Sequence, residues 1–117
     1  MLTPNETEVQ APTMHNTLPW YVYMLLCDSK TFYIGITDNI TNRISQHKNK
    51  ENISTKKFSD LKFVYAEKYE SKYDAAKRER QLKGWSHKKK QMLVDGKLGY
   101  KVCTEIVEEI LQKNLNH

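Results

Sequence analysis

The stretch from Trp20 to His47 reads WYVYMLLCDSKTFYIGITDNITNRISQH and joins two apolar segments to an amphipathic helical pattern. Residues 20–27 and 31–36 are rich in β-branched, aromatic and long aliphatic side chains, and the polar tripeptide 28–30 separates them. This pattern is typical of a β-hairpin closed by a short loop. We therefore expect two antiparallel strands at the centre of the fold.

The distribution of apolar side chains predicts the register of this hairpin. With a three-residue loop, one face becomes wholly apolar when the strands pair as Leu26–Phe32, Met24–Ile34 and Val22–Ile36. The opposite face then carries Tyr23 and Tyr33 as diagonal neighbours. Gly35 lies beside them, and a glycine within a strand often marks the close approach of a ligand or another backbone. The two phenols are either ordinary strand tyrosines with solvated hydroxyls or parts of a site.

A helix is predicted to follow, with Thr37 or Asp38 as its N-cap. Its inward stripe combines apolar and ionisable side chains at Ile40, Arg43, Ile44 and His47, which follow the spacing i, i+3, i+4, i+7. A buried charge without a partner costs several kcal/mol. Arg43 and His47 are therefore either satisfied structurally at the margin of the stripe or held there for a function.

A later helix supplies a carboxylate that could serve such a function. Residues 71–74 resemble a capping box that starts this helix. Glu79 shares a stripe with Ala75 and Leu82, so its side chain should face the protein. Glu79 is either an internal partner of Arg43 or a metal ligand. Mg²⁺ is often held by one or two protein carboxylates together with water and phosphate oxygens, so one inward glutamate suits a phosphodiester-cleaving site.

The order and spacing of these residues resemble the GIY-YIG nuclease domain, in its small single-domain bacterial form, over about residues 20–95. The two family triplets correspond to Tyr-Val-Tyr at 21–23 and Tyr-Ile-Gly at 33–35. Two positions differ from the family pattern: Tyr21 replaces the first glycine, and Gln91 stands where many active members carry asparagine.

The resemblance implies a metal-dependent endonuclease that hydrolyses DNA phosphodiester bonds, with a role in repair or recombination. Arg43 and His47 match the helical arginine and the His or Tyr four residues later, and Glu79 matches the glutamate that binds Mg²⁺ or Mn²⁺. Tyr23, assisted by His47, would orient or deprotonate the attacking water, and Tyr33 would hydrogen-bond the water or the phosphate. Arg43 would stabilise the charge that develops on the phosphate.

The fold expected is α+β: a small mixed sheet of three strands flanked by helices, with an extra C-terminal helix. Residues 61–70 alternate like a third strand. Strict alternation would place Leu61, Phe63 and Tyr65 on one face and Lys62, Val64 and Ala66 on the other.

The chain is expected to divide into three segments. Residues 1–19 read as a disordered lead-in, 20–95 as the nuclease-like domain, and 96–117 as a loop and an amphipathic helix. That helix, at 102–115, either caps the core or joins a second copy or another protein. No apolar run is long enough to span a membrane and no export signal is recognisable, so a cytoplasmic location is expected.

Positive charge is concentrated in the middle of the chain. The formal net charge is +5, and because the segments 1–19 and 102–117 each carry −2, residues 20–101 carry +9. This density is typical of a surface that binds a phosphate backbone, although solvated helices also show it. The residues predicted to contact DNA are Lys56, Lys57, Lys77, Arg78, Arg80, Lys83, Lys88, Lys89 and Lys90.

A second function remains open from the sequence. The same basic surface could belong to a nucleic-acid-binding module without catalytic activity, in which Arg43 and Glu79 form a plain internal ion pair.

Overall fold

The structure, a computed structural model, describes residues 19–99. Most of the predicted lead-in and the predicted C-terminal helix at 102–115 lie outside the described residues. The elements are β1 (Trp20–Cys27), β2 (Thr31–Thr37), α1 (Ile40–Lys48), β3 (Leu61–Tyr69), α2 (Lys72–Lys83) and α3 (His87–Val94). The predicted α+β class is confirmed. Within residues 19–99, none of the helices has the length and apolar character needed to cross a bilayer.

The three strands form one sheet in the order β2-β1-β3. The predicted hairpin register is confirmed, with Leu26 opposite Phe32, Met24 opposite Ile34 and Val22 opposite Ile36. The prediction of a mixed sheet is wrong, because β1 pairs antiparallel with both neighbours. After β2 the chain crosses to the far side of β1, so β3 never pairs with β2, the strand whose direction it shares.

An irregularity in β3 changes which side chains face each side of the sheet. Met24 is opposite Tyr65 and Leu25 is opposite Phe63, which leaves Val64 as an extra residue. A bulge of this kind reverses the alternation of the strand beyond it. The predicted faces of β3 are therefore wrong beyond Val64: Tyr65 packs with Met24, and Ala66 lies opposite Tyr23.

Both faces of the sheet are covered by helices. On one face, α1 contributes Ile40 and Ile44 to a buried cluster with Tyr23, Leu25, Cys27, Phe63 and Ala66. On the other, α2 and α3 contribute Ala75, Leu82 and Leu93 to a cluster with Val22, Met24, Ile34 and Tyr65. Burial of both faces explains why β1 is apolar along nearly its whole length.

Helices α1 and α2 each begin after a residue whose side chain caps the first turn. The prediction of Thr37 or Asp38 as the cap of α1 is wrong: Asn39 occupies that position, and its side chain accepts a hydrogen bond from the Asn42 N–H. The Thr37 hydroxyl instead contacts the Asn39 backbone. Ser71 caps α2, as the sequence pattern indicated.

Candidate active site

Tyr23 and His47 form the centre of the candidate site. Tyr23 lies on the middle strand and points to the face that α1 covers, and His47 lies in the last turn of α1. The Tyr23 Oη and His47 Nε2 atoms are 2.8 Å apart, a hydrogen-bond distance. The two side chains are 0% and 1% exposed, so this polar pair lies within the core.

Gly35 makes room for the phenol of Tyr23. The two residues are opposite each other across the β1–β2 ladder. A Cβ atom at position 35 would lie 2.6 Å from the Tyr23 Oη, much closer than side-chain atoms normally approach. The sequence indicated close approach of a ligand or another backbone at this glycine, and the group that approaches is instead the side chain of Tyr23.

Thr55 completes the buried polar chain, and sequence reasoning missed it. Its Oγ1 lies 2.6 Å from the Nδ1 of His47, and the residue is 0% exposed. Thr55 belongs to the polar loop between α1 and β3, where no hydrophobic period distinguishes an inward residue from its neighbours. A buried threonine between exposed Ser54 and exposed Lys56 has no signature in the sequence.

Tyr33 and Arg43 form the partly exposed border of this buried pair. The ring centroid of Tyr33 is 6.2 Å from that of Tyr23 and 5.2 Å from that of His47. Arg43 donates from Nη1 to the carbonyl of Ile36 at 3.1 Å. The structure thus brings together four of the predicted site residues: Tyr23, Tyr33, Arg43 and His47.

Burial keeps the central pair neutral. It raises the pKa of the Tyr23 phenol well above its ordinary value, and the neighbouring Arg43 guanidinium opposes that rise. Burial, reinforced by the positive charge of Arg43, lowers the pKa of His47 from 6.5 to about 4. At neutral pH the site therefore contains a protonated phenol beside an uncharged imidazole.

Glu79 does not pair with Arg43. Within residues 19–99 its ion pair is with Lys83, four residues later on α2, at 3.3 Å. The predicted alternative of an internal Arg43–Glu79 pair is therefore wrong.

Glu79 lies on α2, which packs on the face of the sheet opposite to Tyr23, and its carboxylate remains suitable for a metal. Its side chain is 22% exposed, and that of its partner Lys83 is 56% exposed, so the lysine can turn away. No group of three or more His, Cys, Asp or Glu side chains within the described part of the chain could hold a metal alone. One accessible carboxylate fits a hard cation that takes its other ligands from water and substrate.

Arg78 must be removed from the predicted DNA-contacting set. It is 8% exposed and binds the buried Glu67 of β3 through Nε at 2.9 Å and Nη2 at 3.0 Å. The hydroxyls of Tyr65 and Tyr69 also donate to Glu67. This network joins β3 to α2 on the face away from Tyr23, so Arg78 has a structural role that helix charge density did not reveal.

The other predicted DNA-contacting residues lie in two separate regions. Lys56 and Lys57 are exposed on the loop that carries Thr55, beside the Tyr23–His47 pair. The remainder lie on α2 and α3, which pack against the opposite face of the sheet. Lys90 is half-buried and the others are exposed. These residues are Lys77, Arg80, Lys83, Lys88, Lys89 and Lys90.

Comparison with known proteins matches the chain to one family model and to several relatives. Residues 19–92 match a family model described as the GIY-YIG catalytic domain. A UPF0213 protein of Natronomonas pharaonis is 35% identical over 80 residues, covering 68% of this chain and 94% of that protein. A UPF0213 protein of Clostridium perfringens is 33% identical over 97 residues, covering 82% and 97%. The solution NMR structure of a UPF0213 protein from Bacillus halodurans is 31% identical, covers 66% of this chain and 83% of that chain, and superposes with a TM-score of 0.45.

Proposed function

Since the chain belongs to the GIY-YIG family of catalytic domains, we propose that it is an endonuclease that hydrolyses DNA phosphodiester bonds with the help of Mg²⁺ or Mn²⁺. The observation that carries the proposal is the buried hydrogen bond between Tyr23 and His47, bordered by Arg43 and Tyr33. Strongly shifted pKa values in a cluster of ionisable groups are typical of catalytic sites.

The Tyr23–His47 pair would take up the proton that the attacking water releases. As the Tyr23 oxygen accepts this proton, the phenol passes its own proton to Nε2 of His47. The resulting hydroxide oxygen forms a bond to phosphorus while the bond from phosphorus to the leaving oxygen breaks. A protonated phenol is a weak base, and burial of Tyr23 hinders its ionisation, so Tyr23 would take up the proton of the water only by passing its own proton to His47.

Arg43 would bind the scissile phosphate and stabilise its developing negative charge. A guanidinium has five N–H donors in a fixed fork, and the Ile36 carbonyl orients this one through Nη1. Its half-buried position strengthens its attraction for an anion relative to an exposed arginine. Tyr33, also half-buried, would hydrogen-bond the water or a phosphate oxygen.

Glu79 would hold the cation through its carboxylate, with water and phosphate oxygens as the remaining ligands. When bound, Mg²⁺ or Mn²⁺ polarises the phosphate and assists departure of the leaving oxygen. Release of Lys83 from its ion pair with Glu79 would accompany binding.

Two observations favour a second candidate, a DNA-binding module without catalytic activity. The Tyr23 side chain is fully buried, so solvent water does not reach its hydroxyl unless a neighbouring side chain moves. Gln91, at the position where many active members carry asparagine, donates from its amide to Asp95 at 3.0 Å. An assay that separates binding from cleavage distinguishes the two candidates.

The test is cleavage of a panel of DNA single strands, branched junctions, nicks and duplex ends with Mg²⁺, Mn²⁺ or EDTA. Tyr23→Phe and Arg43→Ala should each lower the single-turnover rate by at least about a hundredfold, roughly 2.7 kcal/mol of transition-state stabilisation. Glu79→Gln should abolish metal-dependent cleavage. DNA binding should survive all three changes.

Tyr73→Phe is the matched control, because this tyrosine on α2 is 72% exposed and lies outside the site. It should cleave at the wild-type rate. A wild-type protein that binds these DNAs but cuts none of them would establish the binding module instead. Cleavage by Tyr23→Phe at the wild-type rate would show that Tyr23 does not activate the water.

A further inference from the structure

We propose that Thr55 is a positioning residue of this site: its hydroxyl holds His47 in the tautomer protonated on Nδ1, which leaves the Nε2 lone pair to receive the proton of Tyr23. The inference rests on the proposed function for its catalytic consequence. The tautomer itself is a property of the folded protein and can be measured without any DNA.

The two hydrogen bonds of the His47 ring can be arranged in two ways. Its Nδ1 faces the Thr55 hydroxyl at 2.6 Å and its Nε2 faces the Tyr23 hydroxyl at 2.8 Å. A neutral imidazole has one N–H donor and one acceptor nitrogen, so one hydroxyl must accept and the other must donate. Either Thr55 accepts from Nδ1–H while Tyr23 donates to Nε2, or both directions are reversed.

The chemistry of the two hydroxyls favours the first arrangement. A phenol is more acidic than an aliphatic alcohol, so Tyr23 is the better donor and Thr55 the better acceptor. The Arg43 guanidinium does not decide the direction, because its charge favours a negative Tyr23 oxygen and disfavours a positive His47 ring alike. The remaining group facing the imidazole is the phenol of Tyr33, from β2.

The loop holds Thr55 in place before any substrate arrives. The Thr55 carbonyl accepts from the Phe58 N–H at 3.0 Å, and the Thr55 N–H donates to the Asn52 carbonyl at 3.2 Å. The carboxylate of Asp28, in the hairpin loop, accepts from the backbone N–H groups of Ser59 and Asp60 at 2.9 and 2.7 Å. The end of the loop is thus tied to the hairpin.

The geometry has a consequence for the proton step. When His47 receives the phenol proton on Nε2, it becomes an imidazolium that donates from both nitrogens. Thr55 accepts from Nδ1 before and after the transfer, so no group needs to turn. Without that acceptor, a buried N–H would lose its partner and the imidazolium would be harder to form.

The test compares Thr55→Val, which keeps the shape and removes the hydroxyl, with Thr55→Ser, which keeps the hydroxyl. Thr55→Val should lower the single-turnover cleavage rate by at least about tenfold, as loss of a supporting partner typically does, with DNA affinity changed by less than about twofold. Thr55→Ser should stay within about threefold of wild type. Thr41→Val, the same exchange on the exposed side of α1, is the control and should cleave normally.

Nitrogen-15 NMR of the His47 ring provides the second readout. The wild-type protein should show a protonated Nδ1 and an unprotonated Nε2, and Thr55→Val should shift the ring toward the other tautomer. A wild-type ring protonated on Nε2, or equal cleavage rates in the Val and Ser variants, would overturn the proposal. If Thr55→Val does not fold, the proposal is tested by the tautomer of His47 in the wild-type protein and by the single-turnover cleavage rate of Thr55→Ser. A protein with the expected tautomer that cleaves no DNA would refute the proposed function and leave the positioning by Thr55 intact.

Discussion

Gly35 and Tyr23 lie opposite each other on the β1–β2 ladder, and the phenol of Tyr23 fits only because position 35 has no side chain. A Cβ there would lie 2.6 Å from the phenol oxygen and 2.8 Å from Cζ. The ring is completely buried, so it has little room to shift without losing its hydrogen bond to His47. The glycine of the second family triplet therefore has a steric explanation in this protein.

Gly35→Ala should destabilise the fold by about 1–3 kcal/mol, the usual cost of overpacking a core, and should abolish cleavage by displacing the Tyr23 hydroxyl. Chemical denaturation and the single-turnover rate measure the two effects. Gly84→Ala is the control, because a Cβ there would meet the Gln81 carbonyl at an ordinary 3.5 Å. Equal stability and activity of the two variants would contradict this account of Gly35.

Arg78 and Arg80 lie two residues apart on α2 but have opposite environments. Arg78 is buried against Glu67, whereas Arg80 is exposed. Arg78→Met should destabilise the protein by roughly 3–5 kcal/mol, because it leaves a buried carboxylate unpaired. Arg80→Met should change stability by less than about 0.5 kcal/mol. Urea denaturation of both variants checks the assignment, and a stable Arg78→Met would show that Arg78 is not needed to hold Glu67 in the fold.

Secondary-structure elements divide the basic residues between two sides of the sheet. The loop carrying Lys56 and Lys57 lies on the side of α1, whereas α3 packs on the other side through Leu93. A DNA backbone that reaches both regions must pass around an edge of the sheet. The salt dependence of binding can determine whether it does so.

Changing Lys88, Lys89 and Lys90 together to Gln should weaken DNA binding. The log-log slope of affinity against salt should fall by about 0.7–0.9 for each phosphate that the variant no longer neutralises. Lys56→Gln with Lys57→Gln is the comparison from the other side of the sheet. An unchanged slope for the α3 variant would mean that these three lysines do not contact the DNA.

At the scale of the whole domain, His47 links the candidate active site to the stability of the protein in acid. Its pKa falls from 6.5 to about 4 on folding, so between these pH values the unfolded chain binds the proton and the native state does not. The stabilising contribution is present above pH 6.5 and is lost as the pH falls toward 4. The difference amounts to roughly 3 kcal/mol at most, at 1.36 kcal/mol for each pKa unit.

His47→Gln should therefore lose less stability than wild type between pH 6.5 and 4. Urea denaturation at several pH values measures this, and the difference between the two curves isolates His47 from the carboxylates, which titrate in both proteins. Parallel curves would mean that His47 keeps an ordinary pKa despite its burial beside Arg43. The charged group that faces His47 is Arg43, and the phenols of Tyr23 and Tyr33 lie beside its ring.

Periodicity along the chain was enough to predict the hairpin, its register, the inward stripe of α1 and the closeness of Tyr23 to Tyr33. These features are local, because an apolar period of two residues in a strand or 3.6 residues in a helix indicates which face of that element is buried. The length of the hairpin loop also determines the register, because with three loop residues the strands pair so that one face is wholly apolar. Four of the site residues could be identified in this way, since they lie on the hairpin and on the helix that follows it.

Partners distant along the chain could not be predicted, because periodicity indicates a buried face without indicating what lies against it. The antiparallel pairing of β3, the Glu67–Arg78 pair and the contact of Thr55 with His47 all depend on how separate elements pack. One extra residue at Val64 was enough to reverse the faces of β3. Packing also decided that Arg78 is buried, because charge density along a helix does not say which charges a neighbouring strand will cover.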